Sequence, residues 1–256
     1  MIPEPIDNEL QNELTSFLLN EKELDQFTLK KYLHKAESIE RYDIRHMIIG
    51  LAYAAARKYD RANESFRIAL QSNDERVQRN YFAYLNSSKQ IKKYIEDSYK
   101  IIGNISAQII RMISVPSAIF FGDKESARIE LEKLLKNPPL QNFNYQHIID
   151  QYEYFLSNFG DFMTIANMTD KDFDWFNNQI LDVCERLKTI PLSTQHYVDR
   201  NHGEIAFITT VSTRDPEIIA NMDFELAMLI AENDSFLERG ITGWFKPFSG
   251  DEVASL

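Results

Sequence analysis

Apolar residues recur at helical spacing through most of the first 190 residues. A repeat near 3.6 residues predicts amphipathic helices, and the clearest example is the stripe of five apolar residues in 170–188. Ser, Thr, Asp and Asn favour the position before a helix, so Asp7, Thr28, Asp74 and Thr169 are predicted helix starts. We therefore predict an almost entirely helical segment up to residue 190.

The pattern changes after Pro191. Residues 194–199 and 204–212 are typical of strands, and Asn201-His202-Gly203 between them suits a hairpin turn. Asp215-Pro216-Glu217 then predicts a helix start, and residues 241–248 predict a third strand. This ββαβ order predicts a three-stranded antiparallel sheet covered by one helix, which is too small to be stable alone. We predict a mainly α fold with a helical domain at 1–190 and a small α+β unit at 191–256 docked on it.

One stretch, 43–76, has the residues that two closely packed antiparallel helices need. Its small residues would let the backbones approach, and its aromatic residues would fill the space between the helices; these positions are Gly50, Tyr53, Ala62, Phe66 and Ala69. The spacing resembles one tetratricopeptide repeat. A weaker echo lies near 118–139, with Ala118, Gly122, Ala127, Leu131 and Leu134 before Pro138-Pro139. The resemblance implies an irregular tetratricopeptide-like helical array.

This resemblance also implies a protein-binding role. Ile44, Met47 and Leu51 correspond to the groove-lining positions of the repeat family. Members that hold a peptide carboxylate use Lys and Asn at such positions, so these residues favour an apolar segment of a partner instead. The alternative is that a neighbouring helix of the same chain buries them, because a repeat unit needs neighbours for a closed core.

The net charge of −11 argues against a general nucleic-acid binder, which gains affinity by neutralising phosphates. Residues 57–111 nevertheless contain eleven Lys or Arg against six Asp or Glu. Arg76, Arg79, Lys92 and Lys93 are therefore candidate contacts for an acidic partner surface or a nucleic-acid backbone. The alternative is a set of solvated charges that balance the rest of the molecule.

The best candidate for chemistry is a polar group at the hairpin, formed by His196, Asp199, His202 and Glu204. Imidazole and carboxylate bind metals and exchange protons near neutral pH. Strand alternation, however, places His196 and Asp199 on opposite faces, so we assign no catalytic residue, metal ligand or cofactor. The chain also lacks the glycine-rich phosphate loop, the dinucleotide fingerprint and the nucleophile elbow.

Cellular location follows from three features. The single cysteine, Cys184, cannot form an internal disulfide, the amino terminus lacks the pattern of a secretory signal, and polar residues and Pro116 interrupt the most apolar window. We expect a cytoplasmic protein with no membrane span.

Our preferred hypothesis is a protein-interaction adaptor or regulatory protein, with the small α+β unit as a second contact or a homodimer interface. The alternatives are an enzyme or nucleic-acid-processing factor that uses the hairpin group or the basic segment, and an antitoxin-like or immunity protein.

Overall fold

The computed structural model describes residues 6–20, 22–105, 107–138, 145–199, 201–202 and 204–248. Its elements are α1 (Ile6–Leu19), α2 (Gln26–Glu37), α3 (Tyr42–Ala55), α4 (Tyr59–Ala69), a 3₁₀ turn (Leu70–Ser72), α5 (Glu75–Ser87), α6 (Ile91–Lys100), α7 (Gln108–Phe120), α8 (Lys124–Leu135), α9 (Gln146–Ile165), α10 (Asp170–Arg186), β1 (Pro191–Asp199), β2 (Glu204–Val211), α11 (Pro216–Ala231), α12 (Asp234–Glu238) and β3 (Ile241–Pro247). A mainly α fold with a small sheet near the C-terminus is confirmed.

Polar side chains start several of these helices by accepting hydrogen bonds from first-turn amides, as the sequence predicted. Asp74 and Asp215 accept from backbone N–H groups of α5 and α11, and Thr169 forms a reciprocal capping box with Asp172 in α10. Thr28 does not cap α2. Asp25 takes that role because its carboxylate accepts from the N–H groups of residues 27 and 28, and the Thr28 hydroxyl also donates to it at 2.6 Å.

The chain forms two compact units. Unit 1 contains the described residues of 1–90 and 104–110, and unit 2 contains those of 91–103 and 111–256. The three strands share unit 2 with α9 and α10, and β1 packs against α9. The predicted division into domains 1–190 and 191–256 stays a prediction.

Close helix packing in unit 1 centres on Gly50. A Cβ atom at Gly50 would lie 2.8 Å from two ring carbons of Phe66, so α3 and α4 can approach only because that side chain is absent. Phe66 in turn stacks on Tyr84 of α5, with ring centroids 5.2 Å apart. Tyr53 is half-buried, with the Arg61 guanidinium 5.6 Å from its ring centroid. The two helices predicted from 43–76 are therefore packed together, and their likeness to a tetratricopeptide repeat stays a prediction.

Helix α1 covers the other side of α3 in unit 1. Leu10 and Leu14 of α1 are fully buried, and α1 packs against both α3 and α5. Arg76 joins α5 to α1, because its guanidinium donates to the Asp7 carboxylate at 2.5 Å and to the Gln11 side-chain oxygen at 2.6 Å. The core of unit 1 is thus closed by its own first helix.

The weaker echo lies in unit 2 at the turn between α7 and α8. Gly122 has a φ of 74°, and a Cβ atom there would lie 2.7 Å from the Phe159 ring. Ala118 and Ala127 beside this turn are fully buried. Pro139, at the end of the predicted echo, lies outside the described residues.

The sheet of unit 2 is mixed, in the order β1-β2-β3. β1 pairs antiparallel with β2, with His196 opposite Phe207, whereas β2 pairs parallel with β3, with Ile208 opposite Trp244. The prediction of a fully antiparallel sheet was therefore wrong. A helical crossover through α11 and α12 separates β2 from β3 and returns the chain to the same end of the sheet, so the third strand runs parallel to the second.

Two boundaries differ from the sequence prediction by several residues. β1 begins at Pro191 rather than at residue 194, and α9 extends to Ile165 rather than to residue 158. Phe143, the predicted start of that helix, and Gly203, in the predicted hairpin turn, lie outside the described residues.

Helix α11 lies along β3. A Cβ atom at Gly243 of β3 would lie 3.0 Å from Leu226 of α11 and 3.0 Å from Phe176 of α10, so the strand is in close contact with both helices. The Asp223 carboxylate accepts a hydrogen bond from the backbone N–H of Phe245 at 2.7 Å. A side chain of α11 thus occupies one amide of the edge strand.

Candidate functional site

The three apolar residues predicted to line a binding groove lie in the core of unit 1. Ile44, Met47 and Leu51 have exposed fractions of 1%, 0% and 1%. Neighbouring helices α1 and α5 pack against the helix that carries them. The alternative reading of these residues, burial by another helix of the same chain, therefore describes all three, because a side chain already covered by α1 or α5 offers no surface to a partner.

The four predicted basic contacts each lie beside a carboxylate of their own unit. Arg76 pairs with Asp7, and Arg79 lies 3.8 Å from Glu75. In unit 2 the ammonium of Lys92 is 2.7 Å from Asp182, and that of Lys93 is 2.7 Å from Asp97. These pairs reduce the net charge that the segment presents, although the Arg79 side chain remains 64% exposed.

The hairpin polar group divides into two separate environments. Asp199 accepts from His202 Nδ1 at 2.7 Å and from the backbone N–H of Asn201 at 2.8 Å, and the His202 hydrogen bond is the main cause that lowers the Asp199 pKa. His196 is fully buried on the other face of β1. Within the described residues, no three His, Cys, Asp or Glu side chains are placed to hold a metal ion.

The buried imidazole of His196 is enclosed by aromatic rings. Five phenylalanines from α9, α10 and β2 have ring centroids between 5.0 and 5.8 Å from the imidazole; they are Phe155, Phe159, Phe162, Phe173 and Phe207. Among the described residues, neither ring nitrogen has a hydrogen-bond partner. Burial lowers the pKa of His196 to about 3, so the ring is neutral at pH 7 and packs as a core side chain.

The single thiol is equally inert. Cys184 is fully buried in α10, and burial raises its pKa. A thiol held in its protonated form is a poor nucleophile, so Cys184 packs as a small apolar residue.

Unit 1 exposes three large apolar side chains at one end, which sequence reasoning missed. Leu19 is 73% exposed, Phe27 80% and Tyr59 36%. They lie at or beside the α1–α2 loop and the α3–α4 turn, two segments joined by hydrogen bonds from Lys58 Nζ to the Gln26 side chain and from Leu24 N to Ala55 O. We call these three side chains the loop-end surface. Since they stand at helix ends, the apolar stripes do not reveal them.

Unit 2 exposes a second apolar surface along α11. Helix α11 is apolar on most sides. Met222, Leu226 and Ile230 on one side are buried, and the positions on the opposite side face solvent. Phe224 is 67% exposed and Met228 48%. The α11 face comprises the exposed residues Ala220, Phe224, Ala227, Met228 and Ala231. Contiguous exposed apolar positions at helical spacing are typical of a surface that another protein covers.

Comparison with known proteins finds no matching family model, no similar curated protein and no similar solved structure. Within the described residues, no helix combines the length and the apolar character needed to cross a bilayer.

Proposed function

We propose that this chain is a cytoplasmic protein-interaction adaptor or regulatory protein, and that its helical unit binds a partner protein through the loop-end surface. The observation that supports this proposal is the exposure of Leu19, Phe27 and Tyr59 on two segments that are hydrogen-bonded to each other. Single exposed apolar residues are normal on protein surfaces, whereas clustered ones mark interaction sites.

Phe27 is the expected anchor of this contact. Full burial of a phenylalanine side chain is worth about 1.5–3 kcal/mol, and Phe27 offers most of that free energy because it is 80% exposed in the free protein. Aromatic residues also dominate the small set that contributes most binding energy at interfaces. Asp25 caps the start of α2 by accepting from the backbone N–H of Phe27, so less of this backbone has to be ordered on binding.

The α11 face provides a second contact in this proposal, either for the same partner or for a second copy of the chain. Phe224 and Met228 would form its centre, because both are large and exposed. Methionine suits such a role, since its flexible side chain adapts to different partner shapes.

The test begins with affinity isolation of the tagged full-length protein from its native cells and identification of what co-purifies. Binding of each purified candidate partner is then measured with wild-type protein and with Phe27→Ser. We expect the substitution to weaken binding at least about tenfold, because it removes the central aromatic anchor.

Tyr42→Ser is the matched control. Tyr42 is also an exposed aromatic residue, at 60%, but it lies at the start of α3, whereas the α3–α4 turn follows the end of that helix. Its substitution should change the affinity less than about twofold. Equal effects of the two substitutions would contradict the loop-end surface. Isolation of a tightly held metal or metabolite with no partner protein would favour an enzyme instead.

A further inference from the structure

The α11 face has the residue spacing of one half of a helix pair. Four of its exposed residues follow one another at intervals of four, three and four positions; they are Ala220, Phe224, Ala227 and Ala231, and we call them the α11 seam. Two helices that pack along each other use this spacing. Met228 lies one turn after Phe224 on the same face, and both side chains are large and exposed.

The size of the seam residues determines what can pack on them. Three of the four carry only a methyl group, so the axis of a second helix can approach to the lower end of the usual range of about 8–10 Å. Phe224 would then enter a space between side chains of that helix. Helix α11 has 16 residues, and at about 1.5 Å per residue it is about 24 Å long. The seam therefore fits a helix of about four turns.

The segment that carries the seam is strongly acidic. Residues 215–238 include seven Asp or Glu and no Lys, Arg or His. Because successive residues of a helix are turned by about 100°, Asp223 and Glu225 border the seam on its two sides. Glu217 and Glu232 are exposed near its two ends. Negative charge therefore surrounds the apolar positions.

The arginines next to this segment do not neutralise it. Arg186 of α10 donates to Glu225 at 2.7 Å, and Arg239 is 3.0 Å from Asp172 of α10. Arg214 precedes α11 and donates to the backbone carbonyl of the residue after β3 at 3.1 Å. Seven acidic residues against all three arginines still leave a net charge of −4. The surroundings of the seam therefore favour a positively charged partner.

This charge selects among the possible occupants of the α11 face. Two α11 helices packed on each other would bring their acidic borders together, and like charges across such a contact are unfavourable. An anionic bilayer or a nucleic acid would be repelled for the same reason. A helix that is apolar on one side and carries Lys or Arg beside its apolar side would cover the seam and place opposite charges together.

We propose that the α11 face binds a basic amphipathic helix of a partner protein. The apolar side of that helix covers Phe224 and Met228, and its Lys or Arg side chains lie near Glu217 and Glu232. Burial of the seam supplies affinity, and the charges supply specificity. The inference rests on the proposed function as a protein-interaction adaptor and gives the chemistry of its second contact.

The test uses a designed helical peptide of about 18 residues as the probe, with leucine at the heptad positions a and d and lysine at the bordering positions e and g. Titration with the full-length protein, followed by fluorescence anisotropy, should show saturable binding with half-saturation on the order of 1–10 μM. A matched peptide with glutamate in place of each lysine should bind at least about tenfold more weakly, because its charge has the same sign as that of the α11 borders.

Two substitutions locate the surface that the lysine peptide occupies. Phe224→Ser removes the centre of the seam without changing the charge, and should weaken binding of this peptide at least about tenfold. Phe27→Ser is the matched control, because it removes an exposed phenylalanine from the loop-end surface of unit 1. It should change the affinity for the lysine peptide less than about twofold.

The proposal is overturned if the lysine peptide does not bind saturably, if the two peptides bind equally well, or if the two serine substitutions weaken binding equally. Sedimentation of the protein alone gives a further decision: a wild-type dimer that Phe224→Ser dissociates would assign the α11 face to a second copy. The two peptides compared on the wild-type protein decide the question even if a variant fails to fold. Loss of the Phe27 contact with a natural partner would refute the loop-end surface and leave these peptide measurements unaffected.

Discussion

In unit 1 the buried phenol of Tyr84 is surrounded by groups that hydrogen-bond to it, whereas in unit 2 the buried imidazole of His196 is surrounded by phenylalanine rings. The Tyr84 hydroxyl accepts from Gln90 at 2.6 Å and donates to Asn63 at 3.2 Å, and Asn63 donates to Gln90 at 3.0 Å. Burial raises the pKa of Tyr84 to about 12, so the phenol keeps its proton. Among the described residues, the ring nitrogens of His196 have no such partner.

The difference shows that two kinds of interaction determine how the side chains pack in these two regions. A buried hydroxyl with its partners in place costs little and holds its neighbours in one arrangement, while an unpartnered buried group costs about 1–3 kcal/mol. Unit 1 thus fixes α4 and α5 by directional bonds and by the contact of Phe66 with Gly50. The part of unit 2 around His196 relies instead on the shapes of aromatic rings, such as Phe176 stacked on Phe207 at 3.9 Å.

The largest expected effect comes from breaking the close contact in unit 1. Gly50→Ala should lower the free energy of unfolding by about 2–3 kcal/mol, because the added Cβ would lie 2.8 Å from Phe66, which Tyr84 holds in place. The gain of up to about 1 kcal/mol in helix propensity only partly offsets this loss. Urea unfolding followed by circular dichroism measures the change.

Gly160→Ala provides the control for this substitution. Gly160 also lies within a helix, α9, but the nearest atom to its added Cβ would be the end of the Lys124 side chain at 4.0 Å. The same change should therefore stabilise the protein by about 0.5–1 kcal/mol. A similar destabilisation at both glycines would show that the contact with Phe66 does not limit packing.

A second effect tests the neutral imidazole of unit 2. The pKa of His196 is about 3 in the folded state, below its ordinary value of 6.5, so between these values the unfolded chain binds a proton that the folded protein does not. Stability is therefore full above pH 6.5 and falls as the pH decreases towards 3. Between pH 7 and pH 5 the wild type should lose about 2 kcal/mol more than His196→Leu does.

Urea unfolding at the two pH values measures this difference, and other titrating groups cancel because both proteins share them. A wild-type profile that matches His196→Leu would mean that the imidazole is protonated without cost in the folded protein.

A smaller effect is expected from the satisfied phenol of unit 1. Tyr84→Phe should lower the free energy of unfolding by about 1–2 kcal/mol, because the Asn63 side-chain oxygen loses the donor, and the Gln90 side-chain amide the acceptor, that the phenol provides. Tyr42→Phe, at a site 60% exposed, should change it by less than about 0.5 kcal/mol. Thermal unfolding of the two variants compares them directly, and a neutral Tyr84→Phe would remove the contrast between the cores.

The smallest expected effect on stability concerns two arginines of the basic segment 57–111. Arg79→Ala should change the free energy of unfolding by less than about 0.5 kcal/mol, because its side chain is 64% exposed and 3.8 Å from Glu75. Arg76→Ala should cost about 1 kcal/mol, since Arg76 joins α5 to Asp7 and Gln11 of α1. Equal losses in urea unfolding would mean that the bonds to α1 do not stabilise unit 1.

Local features of the fold followed well from the sequence. Capping by Asp74, Thr169 and Asp215 depends on neighbouring backbone groups alone, so the sequence predicts these helix starts. The contact between Gly50 and Phe66 could also be predicted from the sequence, because both residues lie in one pair of consecutive helices. Periodicity and capping report on interactions within a short stretch of chain.

Features that depend on distant elements did not follow. An apolar stripe on α3 does not indicate whether a partner or α1 covers it, so Met47 was a candidate contact and proves to be a core residue. The direction of β3 depends on the path of the crossover, which alternation does not encode. The surroundings of His196 come from α9, α10 and β2, and its position on β1 alone gave no sign of them.

The hydrogen bond from the Phe245 amide to Asp223 has a consequence for how molecules of this protein meet. β3 is an edge strand, and a free amide on such a strand can pair with a strand from another molecule. The Asp223 carboxylate already accepts the hydrogen bond of this amide, and its negative charge would repel an incoming backbone carbonyl. Asp223 thereby disfavours the addition of a further strand at this position of the β3 edge.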